Sequence, residues 1–333
     1  MILQNKINIT MIGWWTWTYN VLSWLKQYKD LNLAAVVSMS DSWWSTWVLR
    51  DEFWTLPPWD IRRAVLALSE ESLLLRKLFE YRFDKNSSVS GHTIGNLLLT
   101  AMNDITWDFQ KWLDEVSRLF RVKWKVVPVT LEKSDLVVEL EDWTKVKWET
   151  NIDCPIHDPN LCIKNAYLEP EVSINPRWIE TLESSDLIII WPWDLYTSII
   201  PNLLVKWVKK AIKKAKKNNN AKIVYFCNIM TKSWETTNFK VKDFIETIEK
   251  YLWEWILDFV IVNNWHISDY MVAKYKKEEN KKPVKLKDKE LEELKNKKYK
   301  IIRRDLINQK DFVRHSPIKM SQVIRDIIDW WIK

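Results

Sequence analysis

The residues that most directly suggest chemistry follow the first apolar strand of the chain. Ile7–Ile12 is a continuous apolar run that ends at Gly13, and a helical pattern follows over residues 19–28. A nucleotide-binding α/β fold places its glycine-rich phosphate loop at this point, where Thr16 could add a hydroxyl donor. Three loop positions are instead tryptophans, whose indoles would keep a pyrophosphate away from the backbone N–H groups: Trp14, Trp15 and Trp17.

The composition offers an explanation for these tryptophans. The chain contains 24 Trp and 3 Gly, whereas an average content of roughly 7% predicts about 23 glycines in a chain of this length. The two counts look exchanged. We therefore hypothesise that most tryptophans are glycines in the natural protein, because UGA codons that encode glycine were translated as tryptophan. The low-GC character of the Lys-, Asn- and Ile-rich sequence suits this interpretation.

The positions of the tryptophans agree with their number. Asp142 and Trp143 separate two strand patterns where a two-residue hairpin favours Asp-Gly, both residues having positive φ. Residues 191–193 (WPW) directly follow a buried-strand pattern, where Gly-Pro-Gly would be an ordinary turn sequence. The alternative is a protein truly rich in tryptophan, and UGG codons at the loop positions would establish it. If the printed residues are literal, we expect six tryptophans to fill one end of the sheet: Trp14, Trp15, Trp43, Trp44, Trp191 and Trp193.

A second polar turn follows the second predicted strand. Asp41 stands at the end of that strand, where a carboxylate commonly accepts a ribose hydroxyl, and it could also cap the next helix. Restored to glycine, Trp43 and Trp44 would make this turn a second glycine-rich loop, with Ser45 beside them. The sequence thus predicts two polar loops at neighbouring strand ends.

Composition and charge restrict the class of protein. At 333 residues the chain can bury a large core. Its pattern contains no long apolar segment, and we expect neither a signal peptide nor a membrane span. The three cysteines are an odd, widely spaced set, so we expect reduced thiols and a cytoplasmic protein without a membrane partner. The net charge of +7 comes from lysine runs without interleaved aromatics. This pattern favours a solvated face, so we expect no nucleic-acid partner.

Strand and helix patterns alternate along most of the chain, which predicts a Rossmann-like α/β fold with a mainly parallel sheet and helices on both faces. We expect one domain over residues 1–333, with a helical insertion at about 58–120 and a charged surface segment at about 274–298. Short strands at residues 126–130, 135–141 and 144–149 predict a small hairpin segment. Asn175 and Pro176 predict a capped helix start, as do Ser316 and Pro317.

Five motifs in a fixed order carry a resemblance to a known family. Apart from the first loop, they are residues 56–62 (LPPWDIR), 91–96 (GHTIGN), 191–198 (WPWDLYTS), 227–231 (CNIMT) and 312–315 (FVRH). With glycine restored, the set resembles the YvcK-type gluconeogenesis factors, which are relatives of the 2-phospho-L-lactate transferase CofD. The resemblance extends over nearly the whole chain.

The resemblance implies a ligand cleft over the carboxyl ends of the parallel strands. In the YvcK branch it implies binding of a nucleotide sugar of the UDP-N-acetylglucosamine type, and a regulatory role in cell shape and wall metabolism under gluconeogenic growth. In the CofD branch it implies an enzyme that transfers a phospho-acyl group from a guanosine diphosphate donor to a deazaflavin. The transferase would require a large apolar pocket for the deazaflavin acceptor, and no clear sequence pattern indicates such a pocket. Whether there is catalytic turnover, and whether the chain forms a homo-oligomer, stays open.

By position, the resemblance implies roles for individual residues. The diphosphate loop would be Gly13, Trp14, Trp15 and Thr16, and Asp41 would face the ribose or a metal ion. The polar residues that recognise the ligand would be Asn96, Asn228 and Thr231. The second phosphate-facing turn would contain Asp194, Tyr196 and Thr197. Arg314 would approach an anionic group of the ligand.

Three further acidic or metal-binding features bear on the chemistry. Asp60 is the candidate catalytic residue, because a carboxylate beside a diphosphate can hold Mg²⁺ or accept a proton, although a capping role is equally open. Asp194 stands where serine is commoner in the family, so its charge near a phosphate needs a cation. Cys154, His157 and Cys162 lack a fourth ligand and a standard zinc spacing, so we expect no protein-bound metal of that kind.

Overall fold

The structure is a computed structural model that describes residues 6–13, 15–37, 73–83, 92–106, 108–122, 125–154, 158, 161–308 and 312–332. Its centre is a parallel sheet of seven strands, in the order β10-β9-β8-β7-β1-β2-β3. The strands are β1 (Ile7–Ile12), β2 (Leu31–Val37), β3 (Lys125–Pro128), β7 (Leu187–Ile190), β8 (Lys222–Phe226), β9 (Phe259–Asn263) and β10 (Lys300–Arg304).

The middle strands are apolar on both faces because helices cover both sides of the sheet. All four residues of β7 are buried, and so are four of the five residues of β8. Such continuous apolar runs are typical of parallel sheets covered on both faces. The predicted Rossmann-like α/β class is therefore confirmed.

The direction of strand addition reverses between β1 and β7. From β1 the chain continues outward through β2 to β3, and it later returns to place β7 on the other side of β1, followed by β8, β9 and β10. Connections leave β1 and β7 in opposite directions, which opens a crevice at the carboxyl ends of these two strands. In open α/β sheets this switch point is the usual place for a ligand.

Gly13 lies at this switch point in tight contact with the residue that follows β7. Its φ is +153°, and a Cβ added to it would lie 2.6 Å from Cβ of Trp191. The Trp191 N–H also donates to the Ile12 carbonyl at 2.8 Å. Any side chain at position 13 would therefore separate the two strand ends.

Helices connect the strands and cover the sheet. They are α1 (Trp15–Leu25), α2 (Leu73–Glu80), α3 (Ile94–Thr106), α4 (Phe109–Leu119), α5 (Glu149–Asp153), α6 (Pro176–Glu183), α7 (Ile200–Leu204), α8 (Val208–Asn218), α9 (Val241–Tyr251), α10 (Asp269–Glu279), α11 (Asp288–Leu294) and α12 (Pro317–Ile327). A π-helical turn, Leu195–Ile199, precedes α7, and another, Ile328–Ile332, follows α12. The predicted helical block is described as α2, α3 and α4, and residues 58–72 lie outside the described part.

A smaller antiparallel sheet contains β4 (Asp135–Leu140), β5 (Lys145–Lys147) and β6 (Ile163–Glu169), with β4 in the middle. The predicted hairpin is present, but its turn is not the two-residue type expected. Trp143 has φ +70°, whereas Asp142 is not among the positive-φ residues, and its carboxylate accepts from the Thr144 N–H at 2.9 Å. The strand predicted at 126–130 also differs, because β3 joins the edge of the main sheet instead.

The last third of the chain completes the sheet and closes the domain. The charged segment predicted near 274–298 contains the end of α10 and all of α11, and β10 then pairs with β9. Two short strands, β11 (Ile307–Asn308) and β12 (Arg314–His315), form an antiparallel pair before α12. Among the described residues, no helix combines the length and the apolar character that a membrane crossing requires.

Asn175 caps α6 as its sequence predicts, and this contact can be tested. Its side-chain oxygen accepts from the Arg177 N–H at 3.0 Å, and its amide donates to Gln110 at 3.3 Å. We expect Asn175→Ala to lower the free energy of unfolding by about 1 kcal/mol or more, because a helix loses its N-cap. Gln110→Ala, which removes only the longer contact, should cost clearly less in urea denaturation. Equal losses would show that the cap itself contributes little.

Candidate functional site

A cavity of about 430 Å³ lies beyond the carboxyl ends of β7 and β8. Five parts of the chain form it: the end of α5, the turn after β7, the loop after β8, the end of α10 and the segment leading into α12. Its polar and charged lining residues are Asp153, Asp194, Asn228, Thr231, Lys232, Tyr275, Glu279, Lys281, Arg314 and His315. Cavities of this size hold small molecules and cofactors.

The loop after β8 carries a buried carboxylate that organises the turn after β7. Both oxygens of Glu235 are used: one accepts from the Tyr196 N–H at 2.9 Å, and the other accepts from the Thr197 hydroxyl at 3.0 Å. The Glu235 side chain is completely buried. A buried carboxylate is stable only when it is paired and hydrogen-bonded, so these contacts fix the turn 194–199 relative to β8.

Lys232 connects three carboxylates beside this turn. Its Nζ lies 2.8 Å from Asp194 and 2.9 Å from Glu235, and it also contacts Asp153 at the end of α5. The ammonium group has three N–H donors and faces three acceptors. It therefore joins the small antiparallel sheet region, the β7 turn and the β8 loop at one point.

The Asp194 carboxylate lies in an environment that disfavours its charge. Burial and the neighbouring Glu235 carboxylate raise the pKa of Asp194 well above its usual range, whereas Lys281 acts in the opposite direction. The sequence indicated that a negative charge at this position needs a cation. In the structure the Lys232 ammonium is the nearest one.

Two polar residues after β8 are held by backbone contacts. Asn228 donates from its amide to the Trp193 carbonyl at 2.7 Å, which connects the turns that follow β7 and β8. The Thr231 hydroxyl accepts from the Lys282 N–H at 2.9 Å, next to the end of α10. Both residues line the cavity, as predicted for a ligand site.

Cationic side chains also face the cavity. Arg314 is exposed, and its guanidinium lies 4.8 Å from the ring centre of Phe312. Lys281 lines the cavity as well and pairs with Glu279. The site thus combines a cluster of carboxylates with cations that can approach an anionic ligand.

Comparison with known proteins places this geometry in a family. The family model described as 2-phospho-L-lactate transferase CofD matches residues 9–307, which is most of the chain. The chain belongs to the CofD family. It is 35% identical to a gluconeogenesis factor of Bacillus subtilis over 328 residues, covering 98% of this chain and 99% of that protein.

Further CofD-family relatives agree in sequence and in structure. A gluconeogenesis factor of Halalkalibacterium halodurans is 34% identical over 322 residues, covering 96% of each chain. A crystal structure of a UPF0052 family member from Bacillus halodurans has a TM-score of 0.86 and 34% identity, covering 96% of this chain and 99% of the other. The fold and the gluconeogenesis-factor resemblance therefore hold over essentially the whole chain.

Several residues that the resemblance to the CofD family singled out lie away from the cavity or outside the described part. Asn96 is buried on α3 and does not line the cavity. The backbone of α1 includes Trp15 and Thr16, whose side chains are not among those described. The remaining expected site residues lie outside the described residues: Trp14, Asp41, Trp43, Trp44, Ser45 and Asp60.

Tyr196 and Thr197, predicted to belong to the second phosphate-facing turn, lie beneath the cavity lining. Both side chains are buried, with Tyr196 donating from its hydroxyl to the Ile163 carbonyl at 3.3 Å and Thr197 bound to Glu235. Neither lines the cavity, since their hydroxyls point into protein contacts. Their contacts with Ile163 and Glu235 hold the turn that carries Asp194.

Sequence reasoning missed the residues that complete the charge cluster. Lys232 and Glu235 lie in the loop after β8 and Asp153 ends α5, and only the topology brings these two segments together. Lys232 and Glu235 directly follow the 227–231 motif, so extending that motif by four residues would have included them. Asp153 had no comparable signal, because it ends a five-residue helix in the small sheet region.

The structure also shows where the possible metal ligands of the sequence lie. Cys154 is exposed and Cys162 partly buried, both as free thiols, and His157 lies outside the described residues. Within the part of the chain that the structure describes, one acidic group could hold a metal ion: Asp153, Asp194 and Glu235, whose oxygens lie within 4.8 Å of one another. The Lys232 ammonium contacts all three carboxylates. With Lys232 in this position the group does not fit Mg²⁺, which requires oxygen ligands at about 2.1 Å.

His315 makes the stability of this region depend on pH. Burial lowers the pKa of His315 to about 4, although a contact of 3.3 Å between Nε2 and the Cys227 carbonyl acts against this. Because a carbonyl can only accept, the neutral ring donates from Nε2. A folded-state pKa below the unfolded value of about 6.5 gives stability that is complete above that value and is lost as the pH falls towards 4.

We therefore expect His315→Asn to flatten the pH dependence of unfolding between pH 6.5 and 4. The wild-type chain should lose about 2 kcal/mol more than the variant over this range, since a tenfold change in proton affinity is worth about 1.4 kcal/mol and solvent in the cavity screens part of the effect. Urea midpoints at several pH values measure the difference. Parallel pH profiles for the two proteins would contradict the assignment.

Proposed function

We propose that the chain binds a nucleotide sugar of the UDP-N-acetylglucosamine type and acts in the cytoplasm as a regulator of cell shape and cell-wall metabolism. The observation that carries the proposal is a cavity beyond the carboxyl ends of β7 and β8 that is lined by both cations and carboxylates; β7 is also one strand of the β1–β7 switch point. The diphosphate of a nucleotide sugar binds cations and backbone N–H groups. The hydroxyls of its sugar can donate hydrogen bonds to carboxylates.

The individual residues divide between these two needs. Arg314 and Lys281 line the cavity and can approach the diphosphate, and the Gly13 end of β1 supplies the start of a phosphate loop. Asp194 and Asp153 can accept from sugar hydroxyls, and Asn228 can read a polar group of the ligand. The similarity to proteins described as gluconeogenesis factors supports a regulatory role.

The alternative is a transferase of the CofD type, which would transfer a phospho-acyl group from a nucleotide diphosphate donor. The family model itself carries the name of that enzyme, which favours keeping the alternative. Asp60 would be its candidate catalytic residue, with Mg²⁺ as an optional ion. The two functions differ in the nucleotide that they require, uridine in one and guanosine in the other.

Thermal unfolding with each nucleotide separates these functions. The experiment uses the protein with glycine restored at the tryptophan positions. At about 100 times its dissociation constant, UDP-N-acetylglucosamine should raise the free energy of unfolding of this protein by roughly 2.7 kcal/mol, and GDP should have no comparable effect. Arg314→Ala should remove most of this shift, whereas Arg118→Ala, at an exposed Arg–Glu pair far along α4, should leave it unchanged. A shift with GDP alone would support the transferase, and no shift with either would contradict both.

We further propose that most tryptophans of the printed sequence are glycines in the natural protein, translated from UGA codons. Backbone conformation supports this. Nine residues other than glycine have positive φ in the described part of the chain, and five of them are tryptophans: Trp143, Trp148, Trp207, Trp234 and Trp255. The left-handed region costs an L-residue about 1–2 kcal/mol, and glycine occupies it without that penalty.

The surroundings of the buried tryptophans separate two groups. Trp112 is buried and donates from its indole N–H to the Leu99 carbonyl at 2.8 Å, which is the ordinary arrangement for a genuine core tryptophan. The indole N–H groups of Trp178 and Trp191 are buried with no hydrogen-bond partner in the described structure. These two positions fit glycine better, and Trp112 is the best candidate for a true tryptophan.

Substitutions at two contrasting positions test the interpretation. Trp207 is half exposed with φ +77°, so Trp207→Gly should raise the free energy of unfolding by roughly 1 kcal/mol relative to Trp207→Ala. Trp112→Gly should instead lower it by about 3–5 kcal/mol, because a packed aromatic side chain is lost. Urea denaturation compares the variants. UGG codons at the positive-φ positions, or tryptophan masses in peptides from the native cells, would overturn the proposal.

A further inference from the structure

The carboxylate cluster of the cavity raises a question about charge that the proposed function leaves open. Asp153, Asp194 and Glu235 place three acidic groups within 4.8 Å of one another, at a site proposed to receive a diphosphate. An anionic ligand and three carboxylates repel each other unless a cation lies between them. In nucleotide-binding proteins that cation is commonly Mg²⁺, held by one or two carboxylates and the phosphates.

Lys232 already occupies the centre of the cluster. Its Nζ lies 2.8 Å from Asp194 and 2.9 Å from Glu235, and it also contacts Asp153. The ammonium group thus faces three carboxylates, and Asp153 accepts a hydrogen bond from it. These contacts with the protein distinguish Lys232 from a lysine that binds its ligand directly.

The backbone around Lys232 holds the side chain at this position. The Lys232 N–H donates to the Thr236 hydroxyl at 2.8 Å, and the Thr236 N–H donates to the Lys232 carbonyl at 2.9 Å. Glu235 belongs to the same turn and is itself fixed by Tyr196 and Thr197. A metal ion could enter the cluster only by displacing a side chain that this turn orients towards it.

We propose that Lys232 takes the place of a divalent cation in this site, so that the chain binds its ligand without a metal ion at the Asp153, Asp194 and Glu235 cluster. Lys232 is then a positioning residue: it neutralises part of the acidic charge and orients the carboxylates, while their remaining oxygen lone pairs stay available to hydroxyl donors. The ligand-binding part of this inference rests on the proposed function, whereas the cation part concerns the cluster alone.

Manganese titration of the full chain tests the cation part without any nucleotide. The wild-type protein should show no Tm change with Mn²⁺. Lys232→Met leaves three carboxylates without their cation and should gain a Mn²⁺-dependent rise in Tm of roughly 2–4 °C at about ten times the dissociation constant. Lys232→Arg keeps the charge and should gain none. Adding Glu235→Gln to Lys232→Met should abolish the gain.

A matched control separates this effect from the loss of any buried lysine. Lys216 lies 2.8 Å from Asp258 and is also partly buried, 30% exposed against 18% for Lys232, but it contacts one carboxylate only, its other partner being the Ile256 carbonyl. Lys216→Met should therefore lose stability without gaining a response to Mn²⁺. A Mn²⁺ response of the wild-type protein that disappears in Asp194→Asn would overturn the proposal, and so would the absence of a response in a folded Lys232→Met protein.

Ligand binding gives a second measurement on the unmodified protein. The stabilisation by UDP-N-acetylglucosamine should be the same in EDTA and in Mg²⁺. A shift that requires Mg²⁺ and is lost in EDTA would contradict metal-independent binding. If the nucleotide sugar gives no shift under either condition, the proposed function fails, and the Mn²⁺ titration still decides the role of Lys232.

Discussion

The pairing of β1 with β7 is the constraint on which the rest of the site depends. These two strands meet where the order of the sheet reverses, and their ends approach so closely that an added Cβ on Gly13 would lie 2.6 Å from Cβ of Trp191. The contact fixes where the first loop starts and where the turn after β7 begins. Asp194 lies in that turn, three residues after Trp191, so its place beside the β8 loop is set by the same strand pairing.

The sheet could be predicted from the sequence because its central strands carry a simple signal. β1 was predicted with the bounds that the structure shows, since a continuous apolar run needs burial on both faces and Gly13 ends it. The hairpin segment was harder. The sequence pattern of β3 resembles that of β4, yet β3 pairs with β2 in the main sheet. No local pattern shows which of the two sheets a strand will join. Pairing between distant strands is decided by the whole topology and not by the residues of one strand.

The site could be predicted only in part, for the same physical reason. Asn228, Thr231, Asp194 and Arg314 are predicted as ligand-binding residues because they belong to recognisable motifs, and all four line the cavity. Tyr196 and Thr197 belong to one of those motifs as well, but their hydroxyls serve the buried contacts of the turn. That a residue belongs to a motif does not show whether its side chain faces the ligand or supports neighbouring residues. Lys232 shows the converse, because its role follows from contacts to three separate turns.

Backbone strain and the charge cluster meet in one short loop. Trp234 has φ +75° and lies between Lys232 and Glu235, whose side chains must both reach Asp194 and its neighbours. A left-handed residue at this point lets the chain reverse within the turn closed by Thr236, so that residues three apart contact each other. Glycine adopts this conformation freely, whereas for tryptophan it is unfavourable by about 1–2 kcal/mol. The identity of residue 234 therefore affects how firmly the ammonium is held among its carboxylates. The question of which amino acid the gene encodes is in this way also a question about the electrostatics of the site.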